Sequence, residues 1–113
     1  MSETARTGSE FVFVYTTLPD VESAEEMAQA LVESRLAACA NIYPGVISVY
    51  EWQGEVERAE EVAMFIKTRR AIAEETIAEA RKLHPYDMPA FLLLPIDGGH
   101  ADYLDWARRQ VKP

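Results

Sequence analysis

The stretch Ala38–Thr68, ACANIYPGVISVYEWQGEVERAEEVAMFIKT, decides the fold. It reads as two long strands, Ala38–Trp52 and Glu55–Thr68, joined by Gln53-Gly54, a dipeptide suited to a two-residue hairpin turn. Side chains alternate between the two faces of a strand. Beyond Pro44-Gly45, Val46, Ser48, Tyr50 and Trp52 therefore share one face, with Ile47, Val49 and Glu51 on the other. In the return strand Val62, Met64 and Ile66 alternate with Ala63, Phe65 and Lys67. The first strand would run on the order of 50 Å if straight, against ~17–20 Å for a typical strand. Pro44-Gly45 is expected to bend or bulge it.

Working outward, Glu10–Thr17 (EFVFVYTT) is a β-branched and aromatic run that predicts an earlier strand. Ser23 with Glu26 forms a capping box, so a helix is expected to open there and end near Ser34–Leu36. Met27, Ala28, Leu31, Val32 and Leu36 give it one apolar face. A second helix is predicted over Arg70–His84, acidic near its start and basic near its end as the helix dipole prefers, with Pro85 stopping it. Ala90–Ile96 reads as a strand covered on at least one face, Asp97-Gly98-Gly99 as a turn, and His100–Val111 as a closing helix with Tyr103, Leu104, Ala107 and Val111 inward. Residues 1–9 read as a disordered tail and residues 10–113 as one domain.

The order strand-helix-strand-strand-helix-strand is the split β-α-β of ferredoxin-like α+β proteins, with helices on one face of an antiparallel sheet. Tyr15, Val49, Phe65 and Phe91 cannot all lie beneath two helices. A long two-stranded ribbon is marginal alone in water. Both features point to assembly with further copies of the chain.

Composition narrows the function. The 113 residues carry 19 acidic against 11 basic side chains, a net charge of −8, which disfavours a phosphate backbone as partner. No apolar run approaches the ~20 residues of a membrane span. The N-terminus lacks the apolar segment of a signal peptide. One cysteine excludes an internal disulfide and suits a reducing compartment, so the cytoplasm is the expected location. There is no glycine-rich phosphate loop and no legible set of nucleophile, base and oxyanion donor, so catalysis is not expected.

Several linked motifs carry a resemblance. Arg35-Leu36-Ala37-Ala38-Cys39-Ala40-Asn41-Ile42-Tyr43-Pro44-Gly45-Val46 is followed by Ser48-Val49-Tyr50-Glu51-Trp52-Gln53-Gly54. Then come Glu61-Val62, Ile66-Lys67-Thr68, Leu83-His84-Pro85-Tyr86-Asp87-Met88-Pro89 and Tyr103-Leu104-Asp105-Trp106. From about residue 11 onward the chain resembles the CutA divalent-cation-tolerance family. The resemblance implies a ferredoxin-like subunit, a tight homotrimer assembled through the long hairpins, and a link to tolerance of copper and other divalent metals. The family usually has Glu where Asp87 stands, which shortens that carboxylate's reach, and a larger apolar residue where Ala40 stands.

On that resemblance Cys39 and His84 are the candidate metal ligands, since thiolate and imidazole suit copper or zinc. Cys39 reads equally as a small buried hydrophobe, and His84 as a cap on helix carbonyls. One cysteine and two histidines cannot close a four-ligand site, so a metal needs carboxylates, water or another subunit as well. Trp52, Lys67, Tyr86, Asp87 and Trp106 occupy the family's cleft between subunits. Aromatic walls with one lysine and one carboxylate suit a small polar or anionic ligand, or else interface packing. No organic cofactor is implied. The alternative reading is a small-molecule-sensing or scaffold trimer resembling the PII signal-transduction proteins.

Overall fold

The computed structural model describes residues 3–113. Strand β1 (Thr4–Leu18) leads through helix α1 (Val21–Glu33) to the hairpin of β2 (Cys39–Trp52) and β3 (Glu55–Arg69). A 3-10 turn (Arg70–Ile72) and helix α2 (Ala73–Leu83) follow, then β4 (Leu92–His100) and helix α3 (Ala101–Gln110). The strands form one antiparallel sheet in the order β2-β3-β1-β4. The α+β ferredoxin-like order expected from the sequence is the order found.

Period-two alternation explains the core. Val12, Val14, Thr16 and Leu18 of β1 are fully buried, and Met64 and Ile66 of β3 lie beside them. Their helical partners include Ala24, Met27 and Leu31 of α1 and Ala80 of α2. α1 begins at Val21, earlier than the Ser23 capping box suggested. The Asp20 carboxylate takes the N-cap and accepts from the Ser23 amide at 2.7 Å, which leaves Ser23 inside the first turn. The helix ends in a Schellman motif, with Leu36 N donating to Leu31 O (2.9 Å) and Arg35 N to Val32 O (3.1 Å). Arg35 takes the left-handed position (φ 63°). Its guanidinium donates to the Arg109 and Gln110 carbonyls, tying the end of α3 to the end of α1.

Two expectations fail at the far edge. Residues 4–9 are not a tail: Thr4, Ala5 and Arg6 pair with His100, Gly99 and Gly98. Met1 and Ser2 lie outside the described residues. Nor is Asp97-Gly98-Gly99 a turn, because these residues continue β4. A Cβ at position 98 would collide with the Ala5 carbonyl oxygen, so this glycine serves close strand approach.

The hairpin stays extended, and the molecule measures 53 × 26 × 21 Å. A register shift between Tyr43 and Val46, with Gly45 at φ 79°, absorbs the Pro44 bend as a bulge. Gln53 and Gly54, both at positive φ, make the turn. On the face away from α1 and α2, Phe65 packs edge-on against Phe13, Tyr15 and Tyr43 at centroid distances of 5.8, 5.2 and 5.7 Å. α3 covers one end of this outer face. Its Leu104 and Ala107 are buried, Arg108 stacks 5.5 Å over Phe11, and Tyr103 reaches Lys67. Beyond α3 the face is open, with Tyr43 57% and Leu92 56% exposed. Phe91 is instead drawn toward the core, edge-on to His84. No helix among the described residues is long and apolar enough to cross a membrane.

Candidate functional site

The residues singled out in the sequence fall into three places. The first is a cleft of about 780 Å³ beside the hairpin, lined by Thr17, Tyr50, Trp52, Tyr86, Asp87 and Met88, among others. It forms because β3 outruns β1: the β1–β3 register ends at Leu18–Val62, which leaves Glu55–Glu61 paired only with β2. The Pro85–Ala90 segment lines the space beside that free edge. Arg81 Nη2 donates to the Asp87 carbonyl (2.6 Å), and the Tyr86 hydroxyl donates to Glu61 Oε2 (2.8 Å). Burial first, then the bond to Glu61 and its negative charge, hold the Tyr86 phenol above its ordinary range. Trp52, Tyr86 and Asp87 therefore do share a cleft. Its other charged lining groups are Glu57, Glu60 and Glu61. That acidity is the reverse of what an anionic ligand needs.

Lys67 and Trp106 do not join them. They lie at the α3 end of the outer face, the second place, together with Cys39 and Tyr103. Cys39 pairs with Lys67 across the β2–β3 ladder. Lys67 Nζ donates to Cys39 Sγ at 3.3 Å and to the Tyr103 hydroxyl, and it sits 4.5 Å from the Tyr103 ring centroid. Burial works against the Lys67 charge, but the bonds to Tyr103 and Cys39 outweigh it and hold its pKa above the ordinary value. Trp106 lies 5.5 Å from Tyr103, ring to ring. Cys39 is half-buried rather than sealed in the core. The Lys67 ammonium beside the sulfur is a positive charge that repels an approaching metal cation.

His84 is the third place. It is buried beneath the opposite face of the sheet, with Nε2 2.9 Å from the Thr17 carbonyl and 3.2 Å from Thr16 Oγ1. Nδ1 accepts from the Tyr86 amide at 3.1 Å, so Nε2 carries the proton and donates to Thr17. Both nitrogens are thus engaged, and burial holds the imidazole pKa below its ordinary value. Within one chain Cys39 and His84 cannot meet at one ion, because the sheet separates them. Among the described residues no group of three or more His, Cys, Asp and Glu side chains is gathered to hold a metal ion.

Sequence reasoning missed Tyr103 and Tyr50 as site residues. Tyr103 was expected to point inward with Leu104, yet it is 41% exposed and its hydroxyl completes the Lys67 cluster. Tyr50 had a legible signal, since its alternation with Trp52 places both on one face of the ribbon.

Known proteins agree with this architecture. Residues 12–110 match the family described as CutA1 divalent ion tolerance protein. The divalent-cation tolerance protein CutA of Thermus thermophilus is 45% identical over 98 residues, covering 87% of this chain and 95% of its own. The chloroplastic protein CutA of Arabidopsis thaliana is 39% identical over 112 residues, and the match spans 99% of this chain but 61% of that protein. Among solved structures, CutA from Synechococcus elongatus superposes with a TM-score of 0.92 at 32% identity, covering 98% of this chain and 97% of its own. With the motifs, the fold and the relatives in agreement, the chain belongs to the CutA1 divalent ion tolerance family.

Proposed function

We propose that this chain works as a homotrimer in divalent-cation tolerance, handling copper by binding rather than catalysis. The observation that carries the trimer is the open outer face, where Tyr43, Leu92 and Leu94 stay exposed on the same side as the hairpin's Trp52, while Val49 and Val56 are exposed on the ribbon's other side. An apolar surface of this kind is ordinarily covered by a partner, and a second copy of the same long ribbon is the natural cover. The relatives' names carry the cation. Copper is the finer reading, because the half-exposed Cys39 sulfur is the softest donor in the chain. With no donor set gathered among the described residues, the reading is transient capture, or a site completed between subunits, rather than a closed structural site. A free cysteine fits a reducing compartment, so the cytoplasm is the proposed location, although the Arabidopsis relative is named chloroplastic. Nucleotide sensing of the PII type is disfavoured by the acidity of the cleft.

Calorimetric titration with copper tests the reading. Cys39→Ser is expected to weaken binding at least tenfold while the oligomer's mass stays unchanged. His84→Ala is expected to lower stability and leave copper affinity alone, since its nitrogens are engaged. Parental affinity in Cys39→Ser would remove Cys39 as the site.

A further inference from the structure

The last residue of β3 opens onto a recess of about 300 Å³, lined by Ser9, Glu10, Arg69, Arg70 and Ala71. Along a strand, neighbouring side chains point to opposite faces. Here β3 ends at Arg69 and the 3-10 turn begins at Arg70, which breaks the alternation and brings both arginines to one recess. Arg70 Nε donates to the Ser9 carbonyl at 3.1 Å, which sets that guanidinium in place.

Arg69 is left over. Its Nε is buried and has no hydrogen-bond partner among the described residues. A buried donor without an acceptor is costly, and in folded proteins such an orphan often marks a water or an ion. The one carboxylate lining the recess, Glu10, is already taken. Arg108 donates to it twice, Nε to Oε2 at 2.6 Å and Nη2 to Oε1 at 2.8 Å. The bond from Arg108 is the first cause holding the Glu10 carboxyl below its ordinary range, and Arg69 adds only through its charge. Neither Arg69 nor Arg70 has an ion pair among the described residues.

An orphaned guanidinium beside a second, oriented one is a donor set for an oxyanion. The planar fork of arginine matches phosphate oxygens in pairs. The recess lies at the small end of the ~300–1,000 Å³ typical of ligand sites, so it suits one phosphate group rather than a nucleotide. None of the residues on which the trimer is argued lines it. β3 is 15 residues long, which puts the hairpin turn roughly 45 Å away at the rise of a strand.

We propose that this recess binds a phosphate group, free or as a small phosphomonoester, between the guanidiniums of Arg69 and Arg70. The site is separate from copper at Cys39 and from the acidic cleft beside the hairpin.

The test is calorimetric titration of the native protein with inorganic phosphate, glycerol 3-phosphate and sodium chloride at matched ionic strength. Phosphate and its ester are expected to saturate one site per chain, and chloride to give no saturable heat. Equal affinity for the two assigns the site to the ion itself, and a tighter ester assigns it to an esterified ligand. Arg69→Gln and Arg70→Gln should each weaken phosphate binding at least tenfold. Arg69→Lys should restore only part of the loss, because an ammonium keeps the charge without the fork. Lys82→Gln, which removes an exposed cation from α2, should bind as the parent does. Light scattering and melting of each variant without ligand show that it is folded and assembled, and Arg70→Gln carries the test if Arg69→Gln does not fold. Parental affinity in both arginine variants, an equal loss in Lys82→Gln, or no saturable phosphate binding by the parent overturns the site.

Discussion

His84 is the residue whose role changes most between sequence and structure. Its position after α2 is legible because Pro85 must stop the helix. Its tautomer is not, since that depends on a carbonyl at Thr17, 67 residues away in sequence. The consequence is measurable. In the folded chain burial holds the imidazole neutral, with the Thr17 carbonyl opposing and the Arg81 charge reinforcing the effect. Unfolded, the same group takes up a proton below about pH 6.5. The unfolded state therefore binds more protons just below that value, and folding stability falls as pH drops from about 6.5 toward the lower folded pKa. Urea midpoints measured from about pH 7.5 to about pH 5 should decline for the parent protein, and the profile of His84→Gln should be flatter in that window. Superimposable slopes would mean that His84 titrates as freely folded as unfolded. Cys39 shows a similar divide: its place at the start of a strand is readable, whereas the Lys67 ammonium beside it depends on ladder register.

Elements built from local pattern were read well, and elements completed by distant chain were not. The hairpin follows from alternation and a two-residue turn, so both strands and Gln53-Gly54 were placed within a residue or two. β4 was cut short because Gly98-Gly99 carries the signature of a turn. Only the arrival of Thr4–Arg6 alongside shows those glycines to be strand. The same blindness made residues 4–9 a tail. Gly98→Ala tests the pairing. The added methyl would strike the Ala5 carbonyl oxygen, and overpacking of this kind costs roughly 2 kcal/mol. Its thermal midpoint should fall, with amide exchange accelerated at Thr4–Arg6 and little changed in the β2–β3 hairpin. Unchanged exchange at Thr4–Arg6 would show that the edge accommodates a side chain.

At the scale of the whole molecule, the two faces of the sheet have different histories. One is closed by α1 and α2. The other is closed only where α3 crosses it, leaving Leu92, Leu94 and Tyr43 in the open. The sequence shows that both faces are apolar, which is the ground on which assembly is proposed. It did not show that α3 takes part of the second face, because contacts such as Arg35 with Arg109 join distant parts of the chain. Light scattering should return about three times the chain mass. Trp52→Ala removes a large exposed aromatic from the hairpin end, and an interface aromatic of that kind carries ~2 kcal/mol or more. The variant should shift toward lower mass or melt earlier. Parental mass and melting would place Trp52 in the cleft wall alone.

The pairing of β1 with β4 also governs how the protein can be made. β1 leaves the ribosome well before its partner across Thr4–His100, since β2, β3 and both intervening helices lie between them in the chain. The β2–β3 ribbon closes on itself over a short loop and can form while synthesis continues, since local contacts carry the smallest loop-closure cost. β1 can meet β3 midway, but its outer edge stays unpaired until β4 emerges. A nascent chain stalled before residue 92 therefore carries an open strand edge, the kind of surface that recruits chaperones or neighbouring nascent chains of its own sequence.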